Sequence, residues 1–492
     1  MIRSILIRGC WRSTLWLVSW LALTITTYGE DKTPPDAVRD LGHRRELFLD
    51  DWLIESQSGV ALLLHHPRSE EVVYQFDQPE DGGSLAAYIA ILPDTDKLRM
   101  YYRGLDGVCY AESVDGRWWT RPRLNKAGKN RLELPRTEAF APFRDGNPLR
   151  KEAGARYLAV GPMDRKVGEN QSDLEWSAFR SPDGVQWERT HTIGRRDTPL
   201  KPGEVRGMFD SQNVAFWDAH RGEYRAYWRI TNPGRAISTA TSDDFQNWKH
   251  VAALVYAEGT PSEHLYTNAI QPYSRAPHLF IGFPQRFIPE NSMTYAIDEQ
   301  RNKIPRSDVV FMSSRDGLHW RRWTEAFIRP GPVAERWNNV DHTNNMPAWG
   351  IVTTKAAEPG LPDELSLYVT EFPEGRAGRL RRHTLRMDGF VSMHAGGPPG
   401  EFVTRPILCS GKALELNYAT SAAGGIRVEL LDPAGKPYPG YSWKEFPELH
   451  GDAVDQTISW TAGSDLKTLA GKPVRLRFLM KDADVYSLRF RE

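Results

Sequence analysis

Short strand-like runs rich in β-branched and aromatic residues recur along this chain, and many of them end on the same turn. Residues 108–111, 176–179, 237–240 and 309–312 each lead into a Ser-x-Asp-Gly-x-x-Trp pattern. The four copies begin at Ser113, Ser181, Ser242 and Ser314, separated by 68, 61 and 72 residues. Phe245 replaces the glycine in the third copy. In the first copy Trp118 arrives one place early and Trp119 restores the spacing. Asp-Gly is a hairpin-turn signal, because glycine accepts positive φ and the Asp side chain bonds nearby backbone N–H groups. Strand, tight turn, Trp and strand at this period predict the outer hairpin of a four-stranded propeller blade. The Asp and Trp residues of the motif are therefore assigned to holding turns and filling space between blades.

Innermost strands are expected at 85–91, 214–217 and 348–352, and second strands at 98–103, 157–160, 224–229, 278–282 and 365–369. The blades would start near Glu80, Asp145, Asp210, Tyr266 and Asp341, with a degenerate closing unit at 385–390. Four clear motifs and one degenerate unit predict an all-β, five-bladed β-propeller over residues 45–397. The strand-like stretches 46–54 and 60–64 precede the first repeat and are expected to close the ring on the last blade, since a ring needs its open edges covered. Beyond Pro398 the motif is gone. Alternating strands at 413–417, 426–431, 457–460 and 474–479 predict a small C-terminal β-sandwich over 398–492, read as a packing module ahead of a sugar-binding one.

Composition adds an address. Arg3, Arg8 and Arg12 precede an apolar run at 15–23, and Thr27-Tyr28-Gly29 offers small residues for cleavage. Residues 1–29 read as a signal peptide and 30–44 as a polar linker, giving a secreted or periplasmic protein with no membrane segment after cleavage. The 63 basic residues balance 63 acidic ones, which implies no nucleic-acid footprint. After cleavage Cys109 and Cys409 remain, in different predicted domains, and read as buried thiols rather than a disulfide.

Residues at one register of successive blades converge on one mouth of a propeller's channel, so polar groups that recur there are the candidates for chemistry. They are Glu80 and Asp81, Asp145, Asp210, Glu263, and Asp341 with His342. Acids crowded around one pocket separate into protonated and ionised groups, which is what paired-carboxylate catalysis uses. Arg103 and Arg229 end matching second strands, and Glu371 ends the fifth. The arginines suit either a bidentate clamp on a substrate anion or ion pairs to the channel acids. His342 alone lacks partners at ligand spacing; no metal or cofactor is assigned, and no structural calcium is committed to.

With its turns, secretion signal and C-terminal sandwich, the chain resembles glycoside hydrolase families 32 and 43, and more closely the secreted proteins called glycosyl hydrolase family 32-like, over roughly residues 45–492. Phe143-Arg144-Asp145 is similar to the Phe-Arg-Asp-Pro motif of family 32, with Gly146 in place of the proline. The resemblance implies a stabilising role for Asp145. By blade position only, it implies a base or nucleophile at Glu80 and an acid at Asp210; the family's Asn-Asp-Pro-Asn-Gly and Glu-Cys motifs are absent there. Arg103, Arg229, Asp341, His342 and Glu371 would line the subsites. The expected function is an exported glycoside hydrolase acting on a carbohydrate substrate. The alternatives are a non-catalytic carbohydrate-binding propeller and an interaction scaffold.

Overall fold

The computed structural model describes residue 34 and residues 37–492, apart from 84–85, 125–126, 136, 151–155, 169–170, 199–205, 232–233, 290–305, 331–344, 373–376 and 462. Successive antiparallel sheets follow in chain order. Ala87–Pro93, Leu98–Gly104 and Gly107–Ser113 form the first. Ala141–Arg144, Tyr157–Gly168, Gln171–Ser181 and Glu188–Arg195 form the second; Val214–Asp218, Glu223–Thr231, Arg235–Ser242 and Trp248–Ala253 form the third. The fourth is broken in mid-strand. Gln271–Tyr273, Ala276–Gly282, Met312–Ser314 and His319–Arg322 lie in one part, and His264–Leu265, Gln285–Ile288 and Arg306–Val309 in the other. The fifth contains Val352–Thr354, Glu364–Glu371, Arg379–Arg386 and Arg68–Gln75.

The innermost segments meet around a common axis. Ile89 O accepts from Trp349 N at 2.8 Å and from Gln212 Nε2 at 2.9 Å, and Trp349 Nε1 donates to Ile270 O at 2.8 Å. These bonds tie the first, third, fourth and fifth sheets together, and the fold is a β-propeller with a C-terminal β-sandwich. Among the described residues no helix is long and apolar enough to cross a membrane.

Ring closure differs from expectation. Arg68–Gln75 supplies the outer strand of the last sheet, pairing Tyr74 with Leu380. The stretches expected there join the C-terminal module instead. Glu46–Leu47 pairs with Pro473–Arg491, Ile54–Ser58 with Gly400–Thr404, and Val60–Leu64 with Val391–Ala395. The degenerate unit explains the exchange. At Asp388, φ 61°, the chain turns out of the last sheet and runs on as Val391–Ala395 into the sandwich, leaving the outer position to the N-terminal strand. Leu53, Ile54 and Val60 gain burial in the same cluster as Phe402 and Phe478, whose rings stack at 4.5 Å. Two of the expected sandwich strands are one, Ala413–Leu431, which shifts register between Thr420 and Gly425. Cys109 and Cys409 are both free and buried.

The turn motif does more than reverse the chain. In the second copy Ser181 Oγ accepts from Gly184 N at 2.8 Å, and Asp183 Oδ1 accepts from Val185 N and Gln186 N at 2.8 Å each. This leaves the Gly184 carbonyl facing inward. It accepts from Trp187 Nε1 at 3.0 Å within the turn and from the Tyr101 hydroxyl of the preceding sheet at 2.8 Å. Tyr368 reaches Gly116 O at 2.8 Å and Tyr227 reaches Gly317 O at 3.0 Å in the same way. The third turn lacks glycine. There Val160 stands opposite Ala141 as Tyr101 stands opposite Ala90, so no hydroxyl is available. Phe245 takes the positive φ of 65° itself, and its ring packs 5.2 Å from Tyr224 and 5.6 Å from Phe143. In the first turn Trp119 makes the motif contact to Gly116 O, while Trp118 is 79% exposed.

The variable residue of the fourth turn, Arg315, anchors the N-terminal segment. Its guanidinium bonds Glu46 Oε1 at 2.6 Å and Asp50 Oδ2 at 2.7 Å and lies 4.2 Å over Trp52. His278 Nε2 is 3.0 Å from the other Glu46 oxygen. Burial alone would raise the Glu46 carboxyl, but Arg315 and His278 outweigh it and bring it from 4.5 down to about 2.

Tyr101→Phe and Tyr227→Phe should each cost about 1 kcal/mol, the worth of one hydrogen bond between sheets. Gly184→Ala should cost more, about 2 kcal/mol or above, since its φ is 78° and a Cβ would meet the Tyr101 hydroxyl at 2.9 Å. Denaturation midpoints check both. A carboxyl whose folded pKa is depressed stabilises the fold above its unfolded value, and that contribution disappears as pH falls through the folded one. Glu46 should thus contribute about 3 kcal/mol at neutral pH, lost between pH 4.5 and about 2. Stability measured from pH 6 to 2.5 should fall less steeply in Glu46→Gln than in the wild type.

Candidate functional site

One end of the propeller axis is built from backbone in unusual conformations. Tyr88, Phe209, Ala269 and Asn345 have φ of 51°, 56°, 43° and 55°. Each lies at the entry to the innermost segment of its sheet. Left-handed backbone costs a non-glycine residue about 1–3 kcal/mol, and such residues concentrate where a chain is held in a functional geometry. Beside them is a cavity of about 290 Å³, lined by Tyr88, Thr137, Glu138, Ala139, Asp164 and Asp210 together with Pro162 and Leu174.

Three carboxylates from three different segments thus reach one cavity. Asp210 precedes Val214–Asp218, Glu138 precedes Ala141–Arg144, and Asp164 lies on Tyr157–Gly168. Asp210 is held on both oxygens, by Arg229 Nη2 at 2.5 Å and Arg196 Nη2 at 3.2 Å. Arg196 is itself fixed by donating Nε to Met208 O at 2.6 Å. Glu138 is more open, with Arg103 at 3.5 Å. The Arg103 guanidinium lies 5.2 Å over the Tyr88 ring, and the Tyr88 hydroxyl is 3.1 Å from that of Tyr266. Burial pushes the Tyr88 hydroxyl well above its usual range, so it stays a neutral donor and acceptor. Burial disfavours the charge of Arg229, but Asp210 more than compensates and raises it.

The structure therefore brings Asp210, Arg229 and Arg103 to one place. Glu80 lies on the Pro79–Asp81 turn at the same end of the first sheet, its carbonyl accepting from Leu105 N at 2.9 Å, and is not among the described lining residues. Its neighbour Asp81 is fully buried between the Tyr102 hydroxyl at 2.6 Å and Arg121 at 3.1 Å. Glu371 also ends a strand, but its oxygens are taken by Arg379 Nε and Arg381 Nε, each at 2.6 Å. Glu263 is likewise committed to Arg286, at 3.1 Å, and to Arg322. Asp341 and His342 lie outside the described residues. Among the described residues no group of three potential ligands could hold a metal ion.

Asp145 is elsewhere. It follows the far end of Ala141–Arg144, accepts from the Tyr224 hydroxyl at 2.9 Å and from Asn147 N at 3.1 Å, and lies 3.7 Å from Arg150. Burial raises its carboxyl. Asp94, at the same place in the first sheet, accepts from the Tyr157 hydroxyl at 2.6 Å, so this aspartate is a repeated link between sheets. The four-residue strand Ala141–Arg144, with Pro142 inside it, is weak as a sequence signal, and placing the start of the blade at Asp145 skipped it. Counting from that strand puts Glu138 near the register of Asp210. Tyr88 and Tyr266 carried no signal, because aromatics are common throughout this chain.

No protein-family model matches the chain, and no curated protein sequence matches it. Solved structures resemble about two thirds of it. BT0996, solved as a complex with RGII, is 13% identical at a TM-score of 0.44, covering 66% of this protein and 92% of that one. A glycoside hydrolase is 13% identical at 0.44, covering 65% and 92%. An N-acetylgalactosamine deacetylase from F. plautii, in complex with blood group B trisaccharide, is 13% identical at 0.40, covering 67% and 96%. At these scores the likeness carries no argument about chemistry.

Asp145→Ala should lower stability by about 1–2 kcal/mol through the unpaired Tyr224 hydroxyl, and leave ligand binding in the axial cavity unchanged. Denaturation and binding measured on the same preparation separate these effects.

Proposed function

We propose that the chain is an exported, glycan-acting protein of the glycoside hydrolase kind, with the axial cavity as its sugar-binding site. The observation that carries this reading is the convergence of Glu138, Asp164 and Asp210 on one cavity, with guanidiniums beside Glu138 and Asp210. Glycoside hydrolysis needs two carboxyl groups in different settings. One protonates the leaving oxygen, and the other acts as base or nucleophile. Asp210 and Glu138 differ in this sense. Asp210 is gripped by two guanidiniums, whereas the Glu138 side chain is 55% exposed with one at 3.5 Å. Tyr88 lines the cavity with its hydroxyl kept neutral by burial. The N-terminal arginines and apolar run support export, to the medium or the periplasm.

The test is a panel of aryl glycosides and oligosaccharides against the purified protein and its Asp210→Asn and Glu138→Gln variants. Turnover by the wild type should drop about a hundredfold or more in each variant. Sugar binding without turnover in any protein would leave a carbohydrate-binding propeller. Neither binding nor turnover would reject the reading.

A further inference from the structure

Two guanidiniums lie against one tyrosine ring, and one of them pairs with Asp210. Arg229 and Arg235 lie 4.8 and 5.3 Å from the centroid of the Tyr266 ring. That ring's hydroxyl is bonded to Tyr88, which lines the cavity. The Arg229 side chain is nine-tenths buried. Its Nη2 lies 2.5 Å from Asp210 Oδ1 as an ion pair, while among the described residues its Nη1, like that Asp210 oxygen, is buried with no hydrogen-bond partner. An orphaned charged donor in that position is costly unless something supplies an acceptor.

Arg235 is half-buried and has no carboxylate within ion-pair distance among the described residues. Its partners are the Tyr266 and Phe287 rings, the latter at 5.1 Å, and the Nδ1 atom of His264 at 3.2 Å. His264 cannot neutralise it. Burial and the adjacent Arg235 push that imidazole below its usual range, so it is an uncharged acceptor. The charge of Arg235 is itself disfavoured, first by burial and then by Arg229, in contrast to the well-paired arginines Arg286 and Arg315. Arg196, Arg229 and Arg235 lie near this corner; Asp210 pairs with the first two and Asp173 lies 3.9 Å from Arg196, while Arg235 has neither.

We propose that this corner receives an anionic substituent of the glycan, the carboxylate of a uronic acid or a sulfate ester, held between Arg229 and Arg235. Guanidinium donors match the paired oxygens of both groups. The inference rests on the sugar-binding reading of the axial cavity and specifies its substrate class.

Calorimetric titration at low salt tests it with four probes: hexuronic acid oligosaccharides, their methyl esters, sulfated neutral oligosaccharides, and the unsulfated counterparts. Esterification removes the charge and keeps the ring. At least one acidic probe should bind about ten- to a hundredfold more tightly than its uncharged counterpart. The uronate and sulfate arms distinguish the two sources. Arg235→Gln should bring the acid-to-uncharged ratio close to one, and Arg235→Lys, which keeps the charge but loses the fork, should leave it intermediate; melting curves of both variants confirm folding. Equal binding of charged and uncharged probes overturns the proposal while the sugar-binding reading stands. A ratio unmoved in folded Arg235→Gln also overturns it. Binding of no probe overturns both readings.

Discussion

The inward-facing carbonyl of the turn glycine is the contact on which the propeller depends. Ser and Asp side chains satisfy the turn's own N–H groups, which frees that carbonyl to point between sheets. It then accepts two donors, an indole from its own hairpin and a tyrosine hydroxyl from the preceding sheet. One buried acceptor thereby fixes the hairpin, the Trp rotamer and the spacing of neighbouring sheets. The exception follows the same physics. Where Val160 removes the hydroxyl, His191 Nε2 of the preceding sheet lies 3.0 Å from the Phe245 carbonyl in its place, and the Phe245 ring packs on Phe143 and Tyr224.

These contacts gather at one end of the inner strands. Asp94 and Asp145, at the exits of those strands, are held by Tyr157 and Tyr224 of the following sheets. These exits carry bonding between sheets. Both ends carry acids, so charge alone does not separate them. What separates them is the bonding between sheets: Asp94 and Asp145 each accept a tyrosine hydroxyl of the following sheet, whereas Asp210 and Glu138 line a cavity with guanidiniums beside them.

Much of the architecture was legible in the sequence because the turn motif is local and its chemistry is explicit. Strands and turns separated by a few residues obey local rules of spacing and residue type. Counting register along the strands places Asp210, Arg229 and Arg103 at one end of the propeller, where the structure has them. Asp145 was misplaced because Ala141–Arg144 is four residues long and contains a proline, so its sheet was counted from the second strand. The closing strand was missed for a different reason. The sequence reads 46–54 and 60–64 as strands and passes over the charged stretch 68–75, and packing decides which of them closes the ring. Leu53, Ile54 and Val60 have a core to enter in the sandwich, while Arg68–Gln75 presents Tyr74 to the last sheet. Such pairings link residues about 310 positions apart and leave no local trace.

The entry positions carry a further constraint. In four sheets the residue that turns the chain toward the axis has positive φ, and none of the four is glycine. Glycine would relax these turns at little steric cost, yet Tyr88, Phe209, Ala269 and Asn345 hold them. Each side chain is buried, so the surrounding packing offsets the local strain. A rim built this way is stiff. Phe209 stacks on Trp176 at 5.7 Å, and Asp210 follows it directly, so the carboxylate is aimed by a core aromatic rather than by a loop. Preorganisation of this kind places a charged group before any ligand arrives, which is where binding and catalysis gain most from fixed geometry. It also accounts for the orphaned nitrogen of Arg229. Its guanidinium is held by Asp210 and the Tyr266 ring, so its buried Nη1 is kept from solvent.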